Sequence, residues 1–333
     1  MANNLAVEAH GIDKTFPRGD VKALVGFEIE VPRGTVMGLL GPNGSGKTTA
    51  VRILSTVLRA DAGSALVAGF DVAKQSKMVR RRIGLAGQFA AVDENLTGTE
   101  NLYMVGRLTH LERKAAKLRA SELLEQFGLS DAADRVAKTY SGGMRRRLDL
   151  AAALVHRPEI LFLDEPTTGL DPQSRNDLWA VIESLVEEGT TVLLTTQYLE
   201  EADRLAQGIV VIDHGQVIAK GTPAELKANL GETVISLTLS KHDDAVQAMG
   251  LLASIGTKAP VLEGLAVEIT VSDGPHAATE ALRALDQAAL KLAGLELREP
   301  SLDDVFLDLT GHRTEAEAKT ESEGTSKRAG RGR

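Results

Sequence analysis

Residues 41–49 could bind the phosphate chain of a nucleotide. They read GPNGSGKTT, follow an apolar run of strand length at residues 36–40 and precede a helical pattern at residues 50–58. Glycines let backbone N–H groups close around phosphate oxygens, and the start of a helix adds the positive end of its dipole. Lys47 would reach the β- and γ-phosphates, while the hydroxyl of Thr48 would bind Mg²⁺. The pattern therefore predicts a nucleoside triphosphate site rather than a glycine-rich turn with a chance lysine.

Two adjacent carboxylates, those of Asp164 and Glu165, could complete the chemistry of that site. Asp164 ends an apolar run at residues 160–163, and a carboxylate at the end of a buried strand beside a phosphate loop is the usual second anchor for Mg²⁺. Side chains alternate faces along a strand, so Glu165 points elsewhere and can polarise the attacking water. The pair could merely end a strand, but the PTTGLD segment that follows favours the catalytic interpretation.

A second anion site is predicted at the start of a helix. The segment SGG at residues 141–143 precedes the helical pattern MRRRLDLAAALV at residues 144–155. Two glycines let a phosphate approach the backbone closely, and a helix start favours an anion. One γ-phosphate could use both this element and the loop at residues 41–49. We attribute the three arginines at residues 145–147 to nearby phosphates or solvated acids.

The composition is typical of a globular protein, which we expect to be cytoplasmic because the sequence shows neither a membrane span nor a secretory signal. The 333 residues are 43% hydrophobic and 25% charged, which suits one or two cores. Cysteine is absent, which excludes disulfides and thiolate zinc sites, and the net charge of −8 argues mildly against a nucleic-acid-binding surface. No stretch approaches the ~20 apolar residues that span a bilayer, and no secretory signal is evident. We therefore expect any membrane role to come through a partner.

These motifs together resemble the ATP-binding subunit of ABC transporters, over about residues 5–230 and in the order and spacing of that family. GPNGSGKTT resembles the Walker A loop, YSGGM the signature that is usually LSGGQ, and ILFLDEP Walker B with the catalytic glutamate. Gln88 resembles the glutamine of the Q-loop, and the segment GLD ending at Asp171 resembles the D-loop. The resemblance implies an α/β fold, with a P-loop NTPase (ABC ATPase) domain at residues 1–231 and a helical subdomain at about residues 88–155.

The resemblance also implies the cofactors, ATP and Mg²⁺, and the residues that hold them. The metal would be bound by Thr48, Gln88 and Asp164, and Glu165 would be the catalytic base. Phe16 stands where the family places an aromatic residue that stacks on adenine, although a lone phenylalanine near a strand end is more often part of a core. The remaining ATP contacts belong to the Walker A loop, namely Gly41, Pro42, Asn43, Gly44, Ser45, Gly46, Lys47, Thr48 and Thr49.

A homodimer follows from the resemblance, because in this family the Walker A loop and the signature of one chain face different sites. Two chains would close head to tail over two ATP molecules, each lending Ser141, Gly142, Gly143 and Met144 to the other. Met144 replaces the usual glutamine of the signature. Because the phosphate-facing groups would be the Ser141 side chain and the glycine amides, we expect little loss.

Gln197, in the segment TTQYLEEAD, departs from the family, which normally has a histidine there that contacts the γ-phosphate. A glutamine side chain can donate a hydrogen bond through its amide but has no proton to exchange. We expect Gln197 to act as a catalytic γ-phosphate sensor, as glutamines orient water in other phosphoryl-transfer enzymes. The alternative is a passive loop residue, which would make the chain an ATP-binding regulator with weak hydrolysis.

The segments TTQYLEEAD, YSGGMRRRLD and SLDDVFLDLTG look like the daunorubicin/doxorubicin-resistance ATPases. That resemblance implies an ATPase at the inner face of the cell membrane that powers a separate ABC-2-type permease. The cargo would be an anthracycline-type or other amphipathic drug, so that export confers resistance. The rival class is a soluble ABC ATPase acting on nucleic acid or ribosomes. Such proteins usually carry two nucleotide modules, a long coiled-coil insertion or zinc-binding cysteines, none of which this sequence shows, so no nucleic-acid partner is expected.

Contact with a permease would lie near Gln88 and the helical subdomain, where the family receives the permease's coupling helix. A small shift at Gln88 would report the γ-phosphate to that subdomain. Phe89 or Val92 is a plausible contact with the permease. Ordinary core packing of these two residues is an equal alternative.

Residues 232–312 have the pattern of a small α+β domain. Alternating apolar and polar residues predict strands, and 3.6-residue periodicity predicts helices. Its role could be dimerisation or regulation, contact with the permease, or drug sensing. The predicted strands lie at residues 234–239, 265–271 and 295–297, and the predicted helices at residues 243–256 and 276–290.

The end of this domain carries one further signal. Ser301 and Asp304 resemble a capping box, with aspartate in place of glutamate, that opens a short helix. Residues 313–333 have mixed charges and no large apolar side chain to bury, so they are predicted to be a disordered tail.

Overall fold

A computed structural model describes residues 4–17, 21–87, 92–230, 233–298 and 301–310. The chain forms two compact units, which divide between Pro223 and Ala224. The predicted Q-loop residue Gln88, its neighbour Phe89 and the predicted tail at residues 313–333 lie outside the described residues. Among the residues that the structure describes, no helix is long and apolar enough to cross a bilayer.

The first unit alternates strands and helices along the chain. Its elements are, in order, β1 (Leu5–Phe16), β2 (Val21–Pro32), β3 (Val36–Leu40), α1 (Lys47–Leu54), β4 (Ala62–Val67), β5 (Phe70–Asp71), α2 (Ser76–Arg80), β6 (Ile83–Ala86), α3 (Gly98–Leu108), α4 (Arg113–Gln126), α5 (Gly142–Ala153), β7 (Ile160–Asp164), α6 (Pro172–Glu187), β8 (Thr191–Thr196), α7 (Leu199–Leu205), β9 (Gly208–Asp213) and β10 (Gln216–Gly221).

A six-stranded sheet in the order β10-β9-β3-β8-β7-β6 forms the centre of this unit. Its neighbours pair in parallel except for the edge strand β10, which is antiparallel to β9. Every residue of β7 and β8 is buried, since parallel strands covered on both faces must be apolar throughout. This explains why ILFLD and TVLLTT read as continuous runs rather than as alternating patterns.

A second, antiparallel sheet in the order β2-β1-β4-β5 shares its core with the central sheet. Val7 and Ile29 from this sheet belong to one cluster of buried side chains with Phe162, Leu193 and Ile53. Burial of a large apolar side chain contributes about 1.5–3 kcal/mol. The shared cluster therefore holds α1, whose start forms the end of the phosphate loop, firmly between the two sheets.

The predicted helical subdomain contains α3, α4 and α5. A capping box starts α3: the Glu100 N–H donates to Thr97 Oγ1 at 3.1 Å, and the Thr97 N–H donates to Glu100 Oε2 at 2.8 Å. The helical patterns predicted at residues 50–58 and 144–155 correspond to α1 and α5. Both end a few residues earlier than the pattern suggests.

The second unit follows the predicted α+β plan. Its four strands pair antiparallel in the order β12-β13-β11-β14, and two helices share a buried apolar cluster with β11 and β13. The short strand β12 was not predicted. The elements from the boundary onward are α8 (Pro223–Leu230), β11 (Thr233–Leu239), α9 (His242–Leu252), β12 (Val261–Glu263), β13 (Ala266–Val271), α10 (Gly274–Gln287), β14 (Leu292–Arg298) and α11 (Leu302–Thr310).

The capping box predicted at Ser301 is confirmed. The Asp304 N–H donates to Ser301 Oγ at 3.1 Å, and the Ser301 N–H donates to Asp304 Oδ2 at 2.8 Å. Arg298 also donates to Asp304 Oδ2, at 3.0 Å. An aspartate therefore replaces the usual glutamate without loss of the reciprocal pair, and α11 begins at Leu302.

Candidate nucleotide-binding site

The candidate site is built at the carboxyl ends of three neighbouring parallel strands, β3, β8 and β7. Leu40 pairs with Thr196 and Asp164 pairs with Thr195, so the three strands end at the same edge of the sheet. The phosphate loop follows β3, Gln197 follows β8, and Asp164 is the last residue of β7. Ligands of open α/β sheets bind at this edge, outside the carboxyl ends of the strands. The fold therefore brings together residues that lie more than a hundred positions apart.

Glycines at two positions of the loop are required by its geometry. A Cβ on Gly41 would lie 2.2 Å from the Ile212 carbonyl oxygen, and one on Gly46 would lie 2.4 Å from that of Ala23. Gly46 also has a φ of 114°, a conformation that L side chains rarely adopt. Since both clashes are with backbone, neither can be relieved by a rotamer change. The loop can keep this shape only with glycine at both positions.

Lys47 and Thr48 begin α1 directly behind these glycines. Lys47 is 4% exposed, and its Nζ donates to the carbonyl oxygens of Gly41 at 2.7 Å and Pro42 at 3.0 Å. The ammonium group is therefore held inside the curve of the loop, where phosphate oxygens would meet it. The helix start adds its dipole to the same place.

The Asp164 carboxylate lies between two hydroxyl groups. Its Oδ1 accepts from Thr48 Oγ1 at 3.1 Å and from Thr195 Oγ1 at 2.6 Å, and the residue is 6% exposed. The first bond joins the phosphate loop to β7, and the second joins β7 to β8. A carboxylate oxygen beside a threonine hydroxyl is the hard oxygen donor set that Mg²⁺ prefers. The residues present therefore fit a magnesium ion.

Glu165 lies just past the end of β7, in a left-handed turn with a φ of 51°. Its N–H donates to the Thr195 carbonyl oxygen at 3.0 Å and to Thr195 Oγ1 at 3.1 Å. Its Oε2 accepts from Thr168 Oγ1 at 3.4 Å. The prediction that Glu165 points differently from Asp164 holds, but the reason given for it is wrong. The left-handed turn, and not the alternation of side chains along a strand, sets its direction.

A cavity of about 310 Å³ opens beside Glu165. Its lining includes Gly142 and Asp149 of α5 together with Thr168 and Gly169. Glu165 is 8% exposed, so the cavity gives solvent a route to an otherwise buried residue. The predicted base and the start of the signature helix thus border the same space.

The signature segment caps α5 as predicted for a helix start. Ser141 is the N-cap, and its Oγ accepts from the Met144 N–H at 3.2 Å. Ser141 and Gly142 are exposed, and a Cβ on Gly142 would meet nothing within 4 Å. A Cβ on Gly143, in contrast, would lie 2.6 Å from Ser174 Oγ. Gly143 is thus closely packed against Ser174 within the chain, whereas Gly142 leaves open space for an external ligand.

Asp171, the predicted D-loop residue, is the N-cap of α6. Its Oδ1 accepts from the Ser174 N–H at 2.9 Å and its Oδ2 accepts from Ser174 Oγ at 2.7 Å. The backbone hydrogen bond from Ser174 lowers the pKa of Asp171 below its ordinary value. Because Ser174 also packs against Gly143, the D-loop and the signature helix are connected within one chain.

The three arginines of α5 have different partners. Arg145 pairs with Glu94 at 3.0 Å, which confirms the expectation of a solvated acid. Arg147 donates to the Phe127 carbonyl oxygen at 3.2 Å, so for this residue that interpretation is wrong. Arg146 donates to several carbonyl oxygens around Walker B. Carbonyl partners were not predicted because backbone positions leave no mark in the sequence.

Three other predicted positions occupy less defined surroundings. Phe16 is 36% exposed at the end of β1, with Lys14 Nζ 5.8 Å from the centre of its ring, so it is not a core residue. Gln197 is half-buried at the end of β8. Val92 is buried, at 8% exposure, which favours core packing over a permease contact.

Thr195 was missed in the sequence although it contacts both carboxylate residues. A signal was present, since TVLLTT ends an otherwise apolar strand with two hydroxyl side chains. Buried hydroxyl groups need hydrogen-bond partners, and those at the end of a buried strand find them at the site.

Replacing Thr195 with valine should lower the rate of ATP hydrolysis about tenfold, as loss of a group that orients a metal ligand typically does. Thr191→Val is the matched control, because its hydroxyl is equally buried in β8 but accepts from the Gly34 N–H at 2.9 Å, at the other end of the strand. Both variants should lose about 1 kcal/mol of unfolding free energy. Steady-state hydrolysis distinguishes the two variants, and thermal melts check that their losses of stability match. Equal rates for the two variants would contradict a role for Thr195 in the site.

Two family models match the chain. One, for the ABC transporter, matches residues 24–168, and the other, for the C-terminal domain of DrrA1-3-like ATP-binding proteins, matches residues 221–310. The first match includes Walker A, the signature and Walker B.

Curated relatives match almost the whole length. The chain is 54% identical over 317 residues to the daunorubicin resistance ATP-binding protein DrrA2 of Streptomyces coeruleorubidus, covering 94% of this chain and 98% of that protein. It is 51% identical over 309 residues to the daunorubicin/doxorubicin resistance ATP-binding protein DrrA of Streptomyces peucetius, covering 92% and 93%.

Among solved structures, the chain is similar to an ATP-binding cassette of an ABC transporter in its ADP conformation. The TM-score is 0.59 and the sequence identity 27%, over 67% of this chain and 93% of that one.

Proposed function

The chain belongs to the ATP-binding proteins of ABC transporters, of the daunorubicin/doxorubicin-resistance type, and we propose that two copies of it drive a separate ABC-2-type membrane permease. As an ABC ATPase, the chain binds and hydrolyses ATP. The proposed cargo is an anthracycline-type or similar amphipathic drug, as the names of the relatives suggest. The names of the relatives favour this function over action on nucleic acid or ribosomes. The proposed location is the inner face of the cell membrane.

The observation that supports the ATPase part of this proposal is the position of Asp164 and Glu165 relative to the phosphate loop. The 3.1 Å bond from Thr48 to Asp164 fixes the carboxylate beside the loop that would hold the phosphates. Glu165 follows directly, in a turn that is restrained by Thr195. An ATPase needs these three groups at one place: a phosphate cradle, an acidic anchor and a base.

Thr48 and Asp164 are the residues that would hold Mg²⁺, with Gln88 proposed as a third ligand. Bound there, the ion would neutralise charge on the β- and γ-phosphate oxygens. Lys47 would stabilise the same oxygens, because its buried ammonium lies within the loop. Phe16, exposed at the end of β1, is proposed to stack on adenine.

Glu165 is proposed to accept a proton from the attacking water. Its low exposure strengthens its interaction with charges, and the adjoining cavity admits water. Gln197, at the end of β8, is proposed to donate a hydrogen bond to the γ-phosphate. The amide of glutamine can donate this hydrogen bond without itself transferring a proton.

The second copy is proposed to contribute the signature segment. Ser141 and Gly142 are exposed, and the N–H groups at a helix N-terminus, which lack partners within the helix, favour an anion. This exposure supports a head-to-tail pair in which Ser141, Gly142, Gly143 and Met144 of one copy contact the ATP that is held by the other.

Glu165→Gln should leave ATP binding within about twofold of the wild type and lower hydrolysis by a factor of about 10³, because the amide cannot accept the proton but keeps the shape of the side chain. The full chain is tested together with its permease in inside-out membrane vesicles. ATP-dependent uptake of an anthracycline is followed by fluorescence. The matched control is Glu187→Gln, which alters an exposed glutamate of α6.

The proposal requires uptake with the wild type and Glu187→Gln, and none with Glu165→Gln. Hydrolysis at the wild-type rate in Glu165→Gln would exclude Glu165 as the base. Recovery of the chain with ribosomes or DNA, and not with the permease, would overturn the export function.

Gln197→His should retain or raise hydrolysis, and Gln197→Ala should lower it about tenfold, if the side chain contacts the γ-phosphate. The measurement is the turnover number of the full chain at saturating ATP. Equal rates in all three proteins would make Gln197 a passive residue.

A further inference from the structure

Arg146 is a half-buried cation in the second turn of the signature helix α5. Its Nε donates to the Pro166 carbonyl oxygen at 2.7 Å. One terminal nitrogen donates to the backbone carbonyl oxygens of Glu165, at 2.8 Å, and of Asp164, at 3.2 Å. The other terminal nitrogen donates to the Gly87 carbonyl oxygen. One guanidinium group thus holds the whole turn that follows Walker B.

The charges around Arg146 make this arrangement specific. Its side chain is 15% exposed, and burial lowers the pKa of the guanidinium, while the carboxylates of Asp149, Asp164, Glu201 and Glu165 raise it. Asp149 lies 3.7 Å away on the same helix. A buried cation is costly unless its donors are satisfied, and here the guanidinium donates to backbone carbonyl oxygens. Arg146 therefore places a positive charge among four carboxylates of the site.

The backbone of Glu165 is held from both sides. The left-handed conformation at a residue with a side chain is unfavourable and persists only where its surroundings enforce it. Thr195 accepts the hydrogen bond from the Glu165 N–H, and Arg146 donates to the carbonyl oxygens of Asp164 and Glu165. The Thr195 contact comes from the rigid sheet, whereas the Arg146 contact comes from α5. The direction of the Glu165 carboxylate therefore depends on the position of that helix.

We propose that Arg146 is a positioning residue, which transmits the position of the signature helix to the carboxylate of Glu165. Arg146 lies four residues after Gly142, about 6 Å along the helix axis. When the exposed start of α5 contacts an ATP that is held by the second copy, the helix moves, and the Arg146 guanidinium moves with it. The turn at Glu165 moves accordingly, so that closure over one ATP aligns the base at the other. This inference rests on the proposed role of Glu165 as the base.

The test compares Arg146→Lys with the matched control Arg145→Lys in the full chain. Lysine keeps the charge but cannot span carbonyl groups in the fixed fork of a guanidinium. Arg145 is next along the helix, and its partner, Glu94, is on the surface. ATP affinity, the turnover number, the Hill coefficient for ATP and the melting temperature are measured, and Arg146→Gln is a second variant.

Arg146→Lys should lower the turnover number about 10- to 100-fold, leave ATP affinity within about twofold and bring the Hill coefficient close to 1. Arg145→Lys should match the wild type. Wild-type turnover in Arg146→Lys would overturn the proposal. Loss of ATP affinity in parallel with turnover, in both Arg146 variants, would also overturn it, by showing a general structural role.

Glu165→Gln separates this inference from the proposed function. If Glu165→Gln is inactive while Arg146→Lys turns over normally, only the positioning role fails. If Glu165→Gln hydrolyses ATP at the wild-type rate, the proposed base itself is wrong.

Discussion

The paired hydrogen bonds on Asp164 Oδ1 hold the candidate site together. Thr48 brings the start of α1 to this oxygen at 3.1 Å, and Thr195 brings β8 to it at 2.6 Å. Because β3, β8 and β7 run parallel, their ends converge there without any long loop. The Asp164 carboxylate then has two roles. It joins the ends of β7 and β8 to the start of α1, and it is the proposed anchor for Mg²⁺. Thr195 extends this connection to the backbone of Glu165.

The second constraint is that α5 connects an exposed surface to the turn that carries Glu165. Its exposed start, at Ser141 and Gly142, faces open space, whereas its second turn is bonded to the turn that carries Glu165. Gly143 also packs against Ser174, which Asp171 fixes at the start of α6. A ligand at the exposed end therefore acts on elements that are already connected to the base. This arrangement explains physically why such a chain would work as a pair.

The sequence predicted those parts of the structure that depend on local rules. The phosphate loop and the Ser301 capping box are specified by residue types at fixed spacing, and both lie as predicted. A helix start at the signature segment was also predicted, but its Ser141 cap was not. The partners of Arg146 and the left-handed turn at Glu165 could not be predicted, because both depend on backbone groups brought together by the sheet. Thr195 lies between these cases, since its polar side chain in a buried strand was visible but its partners were not.

The central claim is that one chain supplies half of each of two shared sites. Lys47→Ala removes the ammonium of the phosphate loop, and Gly142→Arg fills the open space at the start of α5, where a Cβ meets nothing within 4 Å. The two variants are mixed, both with Glu165→Gln to prevent turnover, and ATP retained after gel filtration is counted. Shared sites predict that each variant alone retains no ATP and that each mixed dimer retains a single ATP. Retention in the mixture no higher than in the separate variants would contradict the account.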